Sequence, residues 1–545
     1  MPQSLESDIL DLLHRYLNVP TDTGTALEAN AAAFIRECLG GEPHFRDNPA
    51  HLGAWPIPDD TLHRTISWAL VRGSAPATVV LIHHSDTVGT EDYRHLASSA
   101  RNPAALAAAL HDGSVPLSPE AKEDLDSGAF LFGHGAADMK GGAAIHLALL
   151  KRFAREPGPR GSILLLSLPD EENLSLGMRN APLLLDALRQ RFGLDYRLML
   201  NVEPQQRTDP EVGVMSEGSI GKMLPFIYVR GALAHSSQVF SGLNPLNLLC
   251  EMVRRIDLDP GLCDRSGAEV TLPPSCLFLK DSKVRYDVSL PRSAFACFNV
   301  LTLGRSPSEL LGLLERTCAD AAQRVLGDVD RSHARWRRMR GEPASALPWS
   351  VPVLRFEQLS GSGSPAASPD PVLVRALQSV QDHSKTMPQA TWDVVEGLLD
   401  RAGRQGPLVV LGFVPPFYPG VTNAGLGEAG RRALDLADHL VRFAAGTLGQ
   451  RYTREPFYTG ISDLSYSSIQ GGEDLERTLV PNMPLNGPAY AIPFPAIRAN
   501  AMPCLNIGPW GKDFHQLTER VHRNDLLVAA PRLIQEAIRV ALGQD

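Results

Sequence analysis

Three apolar runs in the first 203 residues end on acidic or imidazole side chains. Residues 77–86 read ATVVLIHHSD and residues 162–172 read SILLLSLPDEE. Leu198–Leu200 lead through Asn201 and Val202 to Glu203. Short runs without polar interruptions predict strands buried on both faces, as in a parallel sheet. A further strand is predicted over 64–72, as a neighbour of 77–83. Helical spacing marks 25–39 and 139–154. At the N-terminus, Leu5, Ile9, Leu12, Leu13 and Leu17 fall on one helical face. No basic region followed by an apolar block occurs there, so a packed amphipathic helix is expected rather than a signal peptide. The polar and Ala-rich stretch 94–128 predicts an insertion of loops and short helix. Through residue 215 the alternation of helix and strand is that of an α/β layer.

Near Gly218 the pattern changes. Strands are predicted at 222–230, within 275–303 (two) and at 350–358, with helices at 244–256 and 307–325. Ser306, Pro307 and Glu309 form a capping-box start for the second helix. The order β-α-β-β-α-β describes a split βαβ layer. The segment 359–369, LSGSGSPAASP, reads as a linker, and Asp370 with Pro371 as a helix start. Apolar runs then recur at 408–414 and 504–508, with a long helix over 428–446. The 545 residues are too many for one core. The expected architecture is α/β: a mixed, mostly parallel sheet flanked by helices, over 1–216 and 367–545. A compact α+β lid of ferredoxin-like, split βαβ order is inserted over 217–366.

Composition narrows the partners. A net charge of −9 without a basic stripe argues against nucleic acid. No apolar run approaches the roughly 18 residues of a membrane span. The seven cysteines are odd in number and form no CxxC, so free thiols in a reducing cytoplasm are expected.

The chemistry lies at the strand ends. A parallel strand delivers its last residues to a crevice at the carboxyl edge of the sheet. His84, Asp86, Asp138, Glu171, Glu172 and Glu203 would meet there, and His515, far along the chain, could join them. So many carboxylates are untenable together without protons or cations. Imidazole and carboxylate ligands suit zinc or a similar divalent ion, and the number of groups leaves room for two. Asp86 lies two residues from His84, where it could fix the imidazole tautomer. Asp138, within Gly133–Gly142 (GHGAADMKGG), could bridge two cations or cap a helix. In Asp170-Glu171-Glu172, adjacent acids point apart, so one can bind metal while its neighbour acts as general base.

The ordered set HSD, GHGAADMKGG, DEE, NVEP, GALAHSS and HQLTE resembles the M20 family of metallopeptidases and amidohydrolases. The long form resembles its RocB-like, arginine-utilisation branch. The resemblance implies that Asp138 bridges two metals, that His84 and Glu203 complete one site, and that Glu172 and His515 complete the other. It also implies Glu171 as general base, Asp86 as the residue orienting His84, and a cis bond between Asp138 and Met139. His235 would come from the lid to stabilise the oxyanion. In dimeric members that histidine belongs to the partner subunit, so a homodimer is required if His235 acts in trans and a monomer suffices in cis. Two motifs depart: where many members carry Asp-x-Arg on a lid strand, this chain has Asn299-Val300-Leu301, and the His515 motif has Thr518 where the family often has Asn.

The expected reaction is metal-assisted hydrolysis of an amide or related C–N bond in a small amino-acid derivative or short peptide, with Glu171 as base to a metal-bridged water. Zinc is the expected metal, with cobalt or manganese as alternatives. The rival readings are a peptidase or aminopeptidase on short peptides, and a non-catalytic relative that binds metal or ligand.

Overall fold

The computed structural model describes residues 4–156, 158–359, 371–382, 384–487 and 490–543. Apart from Leu359, the segment read as a linker and the cap expected at Asp370 lie outside the described residues. The chain forms two compact units: 1–220 with 421–469 and 492–545, and 221–420 with 470–491.

The first unit is built on an eight-stranded mixed sheet. Its strands run in the order Leu52–Pro56, Thr65–Val71, Ser162–Leu168, Ala77–His84, Asp195–Asn201, Cys504–Asn506, Val212–Ser216 and Arg451–Glu455. The three apolar runs occupy adjacent central positions. Ser162–Leu168 is buried at every residue, and Ala77–His84 at all but the first. Strands so thoroughly covered need apolar residues on both faces, which is why these runs do not alternate. The helix Leu5–Leu17 turns Leu5, Ile9, Leu12, Leu13 and Leu17 inward, as its spacing predicted. The helix Gly141–Arg155 is buried along most of its length. Together with Leu165, Leu200, Leu533 and Ile538 they form one apolar core.

Thr65–Val71 and Ala77–His84 are not neighbours, contrary to expectation. Ser162–Leu168 lies between them, antiparallel to the first and parallel to the second. The connection between 71 and 77 is too short to reveal that a later strand enters the gap. The pairing puts His84 level with Leu168, and Leu81 level with Leu200 on the other side. The residues that follow Leu168 and Asn201 therefore leave the sheet at the same edge as His84. Glycine permits close packing here: a Cβ on Gly142 would lie 2.6 Å from the Val202 carbonyl oxygen, and one on Gly508 1.9 Å from that of Glu203.

Residues 94–128 fold into the helices Pro103–His111 and Pro119–Ser127. Leu106, Leu110 and Leu125 pack there with Phe130, Phe132 and Trp510.

The second unit carries a five-stranded sheet in the order Ser275–Asp281, Ser293–Thr302, Gly221–Arg230, Leu408–Tyr418 and Val353–Arg355. The helix Pro307–Met339 opens on the capping box of Ser306 and Glu309, and runs well past the expected 307–325. A boundary at 366 is not what the structure gives. Leu408–Tyr418 pairs antiparallel with Gly221–Arg230 and parallel with Val353–Arg355. Residues up to 420, and 470–491 as well, therefore belong to this unit. Its apolar core joins Phe226, Phe295, Trp392, Val395 and Val410.

No helix among the described residues is long and apolar enough to cross a membrane. All seven cysteines are unpaired.

Candidate metal centre

At the carboxyl edge of the first unit's sheet, two imidazoles face opposite oxygens of one carboxylate. His84 Nε2 lies 3.0 Å from Asp138 Oδ1, and His515 Nε2 lies 3.3 Å from Asp138 Oδ2. Glu203 Oε2 stands 3.9 Å from His84 Nε2, and Glu172 Oε1 stands 3.1 Å from His515 Nε2. Ligand atoms of His84, Asp138 and Glu172 all fall within 4.8 Å of one another. The five residues expected as ligands are thus together, grouped as His84–Glu203 and His515–Glu172 on either side of Asp138. The Asp138–Met139 peptide bond is cis.

The tautomer of His84 decides whether a cation fits. Its Nδ1 lies 2.9 Å from the main-chain carbonyl of Asp86, which can only accept. Nδ1 therefore carries a hydrogen. In the neutral ring, Nε2 then aims a lone pair at a carboxylate oxygen, which repels unless a proton or metal lies between. Two ligand atoms each about 2.0–2.2 Å from a common ion, at an angle of about 95–110° there, lie roughly 3.0–3.6 Å apart. The spacings of both imidazoles from Asp138 fall in that range.

The electrostatics agree. Burial works against a charge on His84, but Glu203, Asp138 and Glu171 hold its pKa well above the ordinary value. Hydrogen bonds to Asp138 and Glu172 raise His515 to about 10. Burial pushes Asp138 up, yet the two imidazoles hold it, on balance, below the usual carboxylate range. Burial drives Glu171 and Glu203 well above that range, with Glu203 adding to the rise of Glu171 and Asp138 to that of Glu203. Glu172 rises for the same reason, with Asp138 adding to it. This many buried acids with only two imidazoles leave a surplus of negative charge that divalent cations would offset.

Asp86 does more than expected. Its carbonyl fixes His84, while its carboxylate accepts the N–H groups of Glu171 and Glu172, at 3.1 Å each. The carboxylate itself stands 3.7 Å from Nδ1. Asp86 thus ties the turn after Ser162–Leu168 to the end of Ala77–His84.

Glu519 was not singled out from the sequence. Its buried carboxylate accepts N–H from Gly135, Ala137 and Asp138 at 3.0, 2.9 and 3.1 Å. The loop bearing Asp138 is thereby held to the segment bearing His515. Burial and the neighbouring Asp138 push the Glu519 carboxyl up to about 8, against three donors that favour the anion. Two further groups lie beside the site. Asp463 is buried and pushed to about 7 by burial, partly offset by His84. Tyr458, whose hydroxyl faces the Pro204 carbonyl at 3.4 Å, is raised by burial and by Glu203. The sequence Gly460-Ile461-Ser462-Asp463 resembles a family loop near the site but gives Asp463 no role, and nothing local marks Tyr458.

His235 belongs to the second unit. It is exposed, and its Nδ1 contacts Ser237 Oγ at 2.7 Å and accepts the Ser237 N–H at 3.2 Å.

The signature of the peptidase family M20/M25/M40 matches residues 81–394. The chain belongs to this family. It is 31% identical over 544 residues to the uncharacterized protein YqjN of Bacillus subtilis, covering 99% of this chain and 97% of that one. It is 28% identical over 525 residues to protein RocB of the same organism, covering 94% and 91%. These near full-length likenesses place it on a RocB-like branch of M20. Among solved structures, a tripeptidase from Staphylococcus aureus superposes with a TM-score of 0.53 at 13% identity, over 99% of both chains, which supports the fold. The protein is an M20-type metallohydrolase.

Proposed function

We propose that this M20 protein hydrolyses an amide or related C–N bond in a small amino-acid derivative or short peptide. The observation that carries the reading is the placement of two imidazoles on opposite oxygens of Asp138, each with its own glutamate. His84 and Glu203 would hold one divalent ion, Glu172 and His515 a second, with Asp138 shared. Zinc suits this mixture of imidazole and carboxylate, and cobalt or manganese could replace it. When bound, such ions polarise a carbonyl and lower the pKa of water.

The chain's own residues supply the rest. Glu171 takes the proton of the attacking water and returns it to the leaving nitrogen. Its raised pKa suits a group that must hold a proton between the two steps. Asp86 keeps Glu171 placed through the 171 N–H. His235 donates to the developing oxyanion, from the same subunit or from a second copy in a dimer. Resemblance to the RocB-like branch points the substrate toward arginine-related catabolism, as an N-acyl or ureido amino acid or a small peptide. Unpaired cysteines fit a cytoplasmic setting.

The test is a panel of N-acyl amino acids, ureido amino acids and dipeptides, assayed with metal-reconstituted protein and with Glu171→Gln. Turnover of one class that is lost in Glu171→Gln supports the reading. Wild-type turnover by Glu171→Gln removes the general-base assignment.

A further inference from the structure

We infer that Arg64 is a positioning residue for the hydrolytic centre, acting through Asp170 on the turn that carries Glu171 and Glu172. The inference rests on the roles proposed above for those two glutamates.

Of the three adjacent acids, Asp170 turns its carboxylate to Arg64 and to the turn itself. It adopts a left-handed backbone conformation, φ 70°, which costs a non-glycine residue on the order of 1 kcal/mol and must be held in place. Its carbonyl accepts the N–H groups of Leu174 (3.2 Å) and Ser175 (2.7 Å). Its Oδ2 accepts the N–H of Leu176 (3.1 Å). Its Oδ1 accepts Asn173 Nδ2 (3.3 Å) and Arg64 Nη1 (2.5 Å). The turn is therefore gripped twice: Asp86 holds the 171 and 172 N–H groups, and Arg64 holds the acid just before them.

Arg64 is itself fixed. It leads into the strand Thr65–Val71 and is only 8% exposed. Nη2 and Nε grip Asp60 Oδ1 and Oδ2 at 2.9 and 3.1 Å, and the Arg64 N–H donates to Asp60 Oδ2 at 2.6 Å. Nη1 also reaches Glu28 Oε1 at 2.9 Å. A planar guanidinium can serve three carboxylates at once, whereas an ammonium is a point charge without the fork. Without it, three buried acids would face one another. The cheapest relief is for Asp170 to move, which displaces the base one residue along and the metal ligand two along. A shift of about 1 Å at a reacting group can cost about 100-fold in rate.

The experiment compares Arg64→Met, Arg64→Lys and Asp170→Asn with the parent protein. It measures kcat and KM on the best panel substrate, zinc affinity, and amide hydrogen exchange across 169–176. The expected result for Arg64→Met is a kcat lower by about 100-fold with KM little changed. Exchange should rise selectively over 171–176, and zinc should bind more weakly through the loss of Glu172. Arg64→Lys should recover part of each effect. Asp170→Asn, which keeps one side-chain acceptor, should give the same pattern more mildly, and it decides the matter if Arg64→Met does not fold. Unchanged kcat, or a rise in exchange spread evenly over the unit, would overturn the inference. Exchange is read without turnover, so it judges Arg64 even if Glu171 proves not to be the base; the Glu171→Gln result judges that role separately.

Discussion

Replacing Glu519 by Gln isolates the bond network that holds Asp138 in place. The substitution is nearly isosteric and leaves packing untouched. Oε1 accepts from Ala137 and Asp138, and Oε2 accepts from Gly135. The best arrangement of an amide keeps its oxygen toward Ala137 and Asp138 and turns its NH2 against the Gly135 N–H, so one charge-assisted bond is lost. Above about pH 8, where the Glu519 carboxyl is ionised, each bond is to a charged group and contributes about 1.5–3 kcal/mol. The two that remain become neutral and lose roughly half their strength. Together the loop should lose about 3–6 kcal/mol of its local stability. Hydrogen exchange at the 135, 137 and 138 amides should then accelerate at least about 100-fold, since each 1.4 kcal/mol is about tenfold. Zinc affinity should fall by about 10–100-fold, the usual effect of removing a residue that orients a metal ligand. Parent-like exchange at these three amides together with parent-like zinc affinity would refute the reasoning.

Other outcomes rest on the same geometry. Glu171→Gln should keep its metal content while kcat falls by at least about 100-fold, measured on the panel substrate alongside metal analysis. Zinc binding to the metal-free protein at pH 7 should release protons. His515 is raised to about 10, so its ring is protonated at that pH and must become neutral to ligate; His84 is shifted in the same direction by the carboxylates around it. Affinity should therefore rise as pH increases from 7 toward 10; calorimetry in buffers of different ionisation enthalpy reads the release, and a buffer-independent heat would contradict it. His235→Ala should lower kcat by about 100–1000-fold without changing zinc stoichiometry, as for loss of one oxyanion donor; equal loss of zinc would place His235 among the ligands instead.

The strand ends were legible because the pattern is physical. A run such as Val79–Ile82 or Ile163–Leu166 has no polar position to offer solvent, so it must be buried on both faces, and the next residues must emerge at an edge. The histidines and acids at those ends announced themselves by charge density. Long-range pairing was not legible. Nothing local says that Ser162–Leu168 enters between Thr65–Val71 and Ala77–His84, or that Leu408–Tyr418 joins Gly221–Arg230 rather than the first sheet. Both are apolar runs, and either sheet could bury them. The supporting residues were hidden for a similar reason. Arg64 and Glu519 act on groups 106 and 381–384 residues away, so their roles exist only once the chain has folded. Asp86 was found, but its division of labour, carbonyl to His84 and carboxylate to Glu171 and Glu172, required the geometry.

The central claim is that Asp138 is shared by two cations. Elemental analysis of the purified, zinc-reconstituted protein beside Asp138→Ala tests it most directly. Two divalent ions per chain in the parent and loss of tight binding at both positions in the variant is the expected result. A parent that takes up no divalent ion, or a variant that still holds two, would contradict it.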